Sequence, residues 1–174
     1  MIIHIIGIIF VMGTSIGTGI YFIQRDKDRL HLMEEIKKML LLWRGCVRQG
    51  NETIPELFRR ISSKLDYRIN MLLENMVDKL SKMDGDTIRE VWEKNTEKLV
   101  KETPLKTEDM ALIVCIVDIV GLLDKRLQIE NLDNYIFEFE DKIKKLKEHM
   151  IEKHRIYRLL AIVSGIFIVM IFSS

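Results

Sequence analysis

Charge is missing from both ends of this 174-residue chain. Its 27 basic and 26 acidic residues all lie between Gln24 and Arg158, and Met1–Ile23 and Leu159–Ser174 carry none. Proline is almost missing as well. Two prolines, few glycines in the charged body and no alternating apolar pattern exclude a sheet or loop-rich fold and leave an all-α chain. Cysteine is too scarce for a disulfide framework. Cys46 and Cys115 lie far apart on the expected cytosolic side and read as small buried apolar residues. No Lys or Arg precedes the first apolar stretch, and no small-x-small cleavage site precedes the charges, so a retained anchor is expected rather than a cleaved signal peptide.

What is present at the ends is length. Ile2–Ile23 gives 22 residues whose only polar side chains are His4, Thr14, Ser15, Thr18 and the Tyr21 hydroxyl. At about 1.5 Å per residue this crosses a hydrocarbon core of roughly 30 Å. Counted from Ile156, with Arg158 able to snorkel, the second end reaches 19 residues and just spans. The expected architecture is therefore a membrane protein with two terminal transmembrane helices, residues 1–23 and 159–174 (the second span starting near 156), and a cytosolic bundle of about six helices over 24–158. Arg25, Lys27 and Arg29 follow the first span, and Lys142, Lys144, Lys145, Lys147, Lys153, Arg155 and Arg158 precede the second. Basic residues near spans stay on the cytoplasmic side, which puts both termini outside. The basic stretch Lys142–Arg158 also suits anionic lipid headgroups. Near-cancelling charges exclude a general nucleic-acid binder.

Inside the body, apolar residues recur at helical spacing. Met33, Ile36, Leu40, Trp43 and Val47 form one seam, ended at Gly50-Asn51. A second helix starts at Pro55 with Leu57, Phe58, Ile61 and Leu65 inside. A third runs from about Arg68 to Met83. A turn at Asp84–Asp86 follows, with Asp86 able to cap a fourth helix from Thr87 to Lys101 that carries Ile88, Val91, Trp92 and Leu99. A fifth starts near Thr107, and its apolar run Met110–Leu123 with the single charge Asp118 reads as the buried centre of the bundle. Asp118 is expected on the helix edge or paired with a basic residue. The last helix, Lys125–Phe172, carries the heptad seam Ile129, Leu132, Ile136, Phe139, Ile143, Leu146 and Met150, and no breaker separates it from the second span. The first and last helices must run antiparallel, and their seams can pack together.

Catalytic patterns do not assemble. His149 and His154 are five apart and miss the i, i+4 spacing of a metal pair, and no Ser-His-Asp or Cys-His arrangement can be built. Gly13–Gly19 is glycine-rich, but no Lys-Ser or Lys-Thr follows and it lies in an apolar span. It serves instead as a close-packing face, since Gly13 and Gly17 are four apart and Ala161 and Gly165 repeat that spacing. No enzyme, cofactor or metal is expected.

The stretch Leu105–Gln128, led by Trp92, resembles the stage III sporulation protein AB family. Val91-Trp92 stands for that family's Ala-Trp motif, Leu105 and Asp109 for its Leu-x3-Asp, and Gly121, Asp124 and Gln128 for its Leu-Gly-x-Ser-Asp with Gln four residues on. Length, the two end spans and the order of elements match as well. The chain departs from the pattern at Val120 and Leu123, at Glu52-Thr53 in place of Thr-Pro, and at Trp43-Arg44-Gly45-Cys46-Val47, where the family's Leu-Glu-x-Glu-Ile has an acidic pair. The family is similar to the cytosolic domains of the inner-membrane platform protein of type II secretion systems. The resemblance implies a part in the complex that links mother cell and forespore, in the outer forespore membrane on the mother-cell side. Other membrane subunits of that complex and a cytosolic motor ATPase would be the partners. Each motif residue also has a plain structural role: Trp92 as a core anchor, Gly121 as a C-cap, Asp124 as an N-cap. A membrane-anchored coiled-coil scaffold or sensor unrelated to secretion is the rival reading.

Overall fold

The computed structural model describes the backbone at 2–50, 53–82, 87–120, 122 and 124–173, with side chains from 17 to 153 in those ranges and at 155–157, 159, 163 and 170. Six α-helices and one 3-10 turn account for nearly all of it, and no strand occurs among the described residues. The helices are α1 (Ile2–Gln49), α2 (Ile54–Ser62), α3 (Tyr67–Lys82), α4 (Ile88–Glu102), α5 (Thr107–Cys115) and α6 (Lys125–Ser173). The chain divides into two units.

One unit is the bundle Arg29–Ile143. The whole predicted seam of α1 is buried, from Met33 and Ile36 through Leu40 and Trp43 to Val47. So are Leu132, Ile136, Phe139 and Ile143 of α6, while Ile129 is half-buried. Each such side chain contributes about 1.5–3 kcal/mol by leaving water. The two helices run antiparallel here, since Arg44 pairs with Asp133 and Lys37 with Glu140. Between them, α2 packs on α3, α3 on α4 and α4 on α5. Aromatic rings knit these layers. Phe58 of α2 meets Trp43 edge-on at 5.4 Å and lies 6.5 Å from Trp92 of α4.

Local signals fix the helix starts. Thr53 and Glu56 form a capping box at α2, with Pro55 in its first turn. Thr87 and Glu90 form a second at α4. The cap of α4 is thus Thr87, one residue after the expected Asp86, which lies outside the described residues. Asp66 accepts from the Arg68 amide and opens α3.

Two expectations are corrected in the apolar run Met110–Leu123. The fifth helix stops at Cys115 and tightens into a 3-10 turn, Ile116–Ile119, that buries Ile116, Val117 and Ile119. Asp118 lies on the exposed stripe it shares with Ala111 and Cys115, is 54% exposed and pairs, as expected, with a basic residue, Arg89 of α4. Cys115 is likewise exposed, whereas Cys46 is buried as expected, and both are free thiols.

The other unit is Met1–Asp28 with Lys144–Ser174. Lys153 of α6 bonds Asp26 of α1 at 2.8 Å within it. Among the described residues no helix is long and apolar enough to cross a membrane. The uncharged ends lie mostly on residues whose side chains are outside the described set. Gly13, Ala161 and Gly165 are among them, and a side chain at Gly17 would meet nothing within 4 Å.

Candidate functional site

The most tightly built polar feature is an ionic cluster inside the bundle. Asp109, in the first turn of α5, has no exposed surface. Its Oδ2 accepts from Arg29 Nε at 2.8 Å and from the Lys106 amide at 2.8 Å. Its Oδ1 accepts from Arg29 Nη2 at 2.9 Å and lies 3.0 Å from Lys142 Nζ. Four donors thus fill the carboxylate, two on each oxygen, with Arg29 gripping it bidentately. Arg29 comes from α1 and is itself buried, and Lys142 comes from α6. Glu108, at the exposed lip, takes a further bond from Arg29 at 2.5 Å, and its carbonyl accepts from Lys142 at 2.8 Å. The two positive and two negative groups balance.

The electrostatics follow from this geometry. Burial pushes the Asp109 carboxyl up, but Arg29, the Lys106 amide and Lys142 more than reverse it and hold it below the usual carboxylate range. Burial likewise opposes the charge on Arg29, and its bonds to Asp109 and Glu108 raise it above its ordinary value. The bond from Arg29 holds Glu108 low. Every acceptor of Asp109 is occupied, so it cannot take a proton or bind a ligand without opening the cluster. The arrangement ties α1, α5 and α6 together; it is not built for turnover. Among the described residues no group of three or more His, Cys, Asp or Glu is placed to hold a metal.

The residues singled out in the sequence separate into local tasks. Trp92 is buried and donates from Nε1 to the Ile113 carbonyl at 2.8 Å, fixing α4 to α5. Leu105 is buried just ahead of α5, whose first turn presents Asp109. Asp124 caps α6 by accepting from the Arg126 amide at 2.7 Å, and Gln128 donates to the Leu122 carbonyl. Gly121 lies outside the described residues. The departures near Trp43 also find internal partners, since Arg44 reaches Asp133 and Cys46 enters the core.

The profile of the stage III sporulation protein AB family matches residues 4–173. The chain belongs to that family. A search of curated protein sequences finds no match. A solved structure of stage III sporulation protein AB is similar in fold, with a TM-score of 0.63 at 15% identity, over 71% of this chain and 97% of that one. Within the family motif, Leu-x3-Asp is then the segment that delivers Asp109 to the cluster.

Arg29 and Lys142 were missed as site residues, because a base near a span reads as an orientation signal. The signal against that reading was spacing. Arg29 falls one turn before Met33, on the same apolar seam, and a charge on a seam demands a buried partner. Lys142, in the stretch read as a lipid contact, is engaged by Asp109 and the Glu108 carbonyl.

Proposed function

We propose that this chain is a non-enzymatic platform subunit of the sporulation channel complex that links mother cell and forespore. It would sit in the outer forespore membrane with its bundle in the mother-cell cytosol and both termini outside. The bundle presents a docking face to a cytosolic secretion-type ATPase, and the ends contact other membrane subunits. The observation that carries this reading is the layout of α1 and α6: each helix is unbroken, α1 opening with the uncharged Ile2–Ile23 and α6 running into the 19 residues from Ile156, Arg158 among them. Family membership supports the sporulation role, and the basic residues flanking both ends support the orientation.

Two measurements test it. Reporter fusions at Met1 and Ser174 should both report outside and one inserted near Gly85 inside; a cytosolic C-terminus overturns the two-span topology. Inserting two or three glycines between Met150 and His154, after the last seam residue, should arrest sporulation at engulfment or soon after, with the protein still made and membrane-bound. Normal sporulation in that strain makes α6 a tether only.

A further inference from the structure

Helix α6 changes character along its length. From Gln128 to Asp141 it has five acidic residues and no basic one, whereas Lys142–Arg158 has seven basic residues against two acidic. The acidic half turns its seam, Leu132, Ile136 and Phe139, into the bundle. Its opposite face carries Leu127, Glu130, Asn134, Phe137 and Asp141, spaced by three and four. Phe137 is 71% exposed at the centre of that face, and Leu127 is 43% exposed at its start. Asp133 is engaged by Arg44 and Glu140 by Lys37, and Asp141 is engaged as well. Glu130 and Glu138 are exposed and make no ion pair among the described residues.

We infer that this face of α6 is a docking surface for a separate folded protein that offers an apolar slot rimmed by lysine and arginine. An exposed phenylalanine ringed by acids is the anchor of such a contact: the ring fills the slot, and the carboxylates steer and orient the basic rim. The charge selects the occupant. An anionic lipid surface or a nucleic acid is repelled by Glu130 and Glu138. A second copy is excluded on the membrane reading proposed above. Two copies in one membrane stand level, which sets Glu130 and Glu138 against the same carboxylates of the other copy. In that reading the occupant is the motor, and the surface deepens the proposal by giving the motor's docking face a basic rim.

The test uses the full chain in sporulating cells with the photo-reactive residue p-benzoylphenylalanine at position 137. The expected result is one adduct with a different protein. It should fall about tenfold in Glu130→Lys/Glu138→Lys and return when the lysines or arginines of the cross-linked segment are changed to glutamate. An adduct with lipid, an adduct with a second copy, an adduct indifferent to charge reversal, or no adduct from a membrane-bound folded chain each overturns the surface. A charge-dependent adduct with a protein that is no ATPase upholds the surface and sinks motor docking. An outside location of Gly85 sinks the platform topology independently of either.

Discussion

Two clusters hold the bundle together, and they do it by different physics. Trp43, Phe58 and Trp92 are buried rings that gain by area and shape and tie α1, α2 and α4. Arg29, Asp109 and Lys142 are largely withdrawn charges that tie α1, α5 and α6 only while every partner is present. Burial favours the rings unconditionally. It penalises the ions, and the penalty is offset by four hydrogen bonds on one carboxylate. The aromatic cluster therefore supplies stability, and the ionic cluster supplies a defined relation among three helices at a bond geometry that admits little slippage.

The sharpest way to break the comparison is Asp109→Ala. It strands Arg29, buried, and Lys142 without their shared acceptor, and the bundle should lose roughly 3–5 kcal/mol in denaturant unfolding of the detergent-solubilised chain. Replacing all three ions by apolar residues, Arg29→Met/Asp109→Leu/Lys142→Met, should cost far less and can match the parent, because nothing charged is left in the interior. If the single variant is as stable as the triple, the cluster is not a coupled unit. A triple variant that is stable but fails to sporulate assigns the ions to geometry; one that sporulates normally assigns them to stability alone.

The aromatic counterpart is Trp92→Phe. The ring remains, the indole N–H is lost, and the Ile113 carbonyl is left without its 2.8 Å donor. About 1–3 kcal/mol should disappear, read as a shift in denaturation midpoint with an unchanged denaturant slope. An effect within error would mean that Ile113 finds another donor.

Acid separates the two clusters further. The folded state holds Asp109 below the value of about 3.9 it has when unfolded. Its contribution is complete above that value and is lost as pH falls through the lower folded value, because the unfolded chain takes the proton first. Between pH 5 and 3 the parent and Trp92→Phe should lose stability in parallel, offset by a constant amount. The triple apolar variant should fall less steeply over the same window. Parallel curves for all three would show that Asp109 is not held low.

These contrasts also explain what could be read before the fold was known. Spacing alone gave the α1 seam from Met33 to Val47 and the α6 seam through Ile143, because burial on one side of a helix leaves a periodic record. The bounds of α3 and α4 fell within a residue or so, since turn and cap residues mark them locally. The ionic cluster left no such record. Asp109 looked like one motif letter, and its partner Arg29 lies 80 positions earlier, in a stretch where any base satisfies the orientation rule. The break after Cys115 was hidden for another reason. Met110–Leu123 is apolar but for Asp118, so composition cannot mark where α-helical pitch gives way to a 3-10 turn.

The same run carries the smallest effect. Asp118 sits in the middle of the apolar run, but it falls on the exposed stripe of Ala111 and Cys115, spaced by four and three. There it meets Arg89, which is itself exposed and also pairs with Glu93. Solvent screens a pair of this kind, and ordering two exposed side chains offsets much of its attraction. Asp118→Ala should therefore unfold within error of the parent, and raising the salt concentration should leave that agreement unchanged. A clear loss of stability would mean that the turn after Cys115 depends on its contact with α4. The division between a buried ionic cluster that matters and a surface pair that does not would then have to be redrawn.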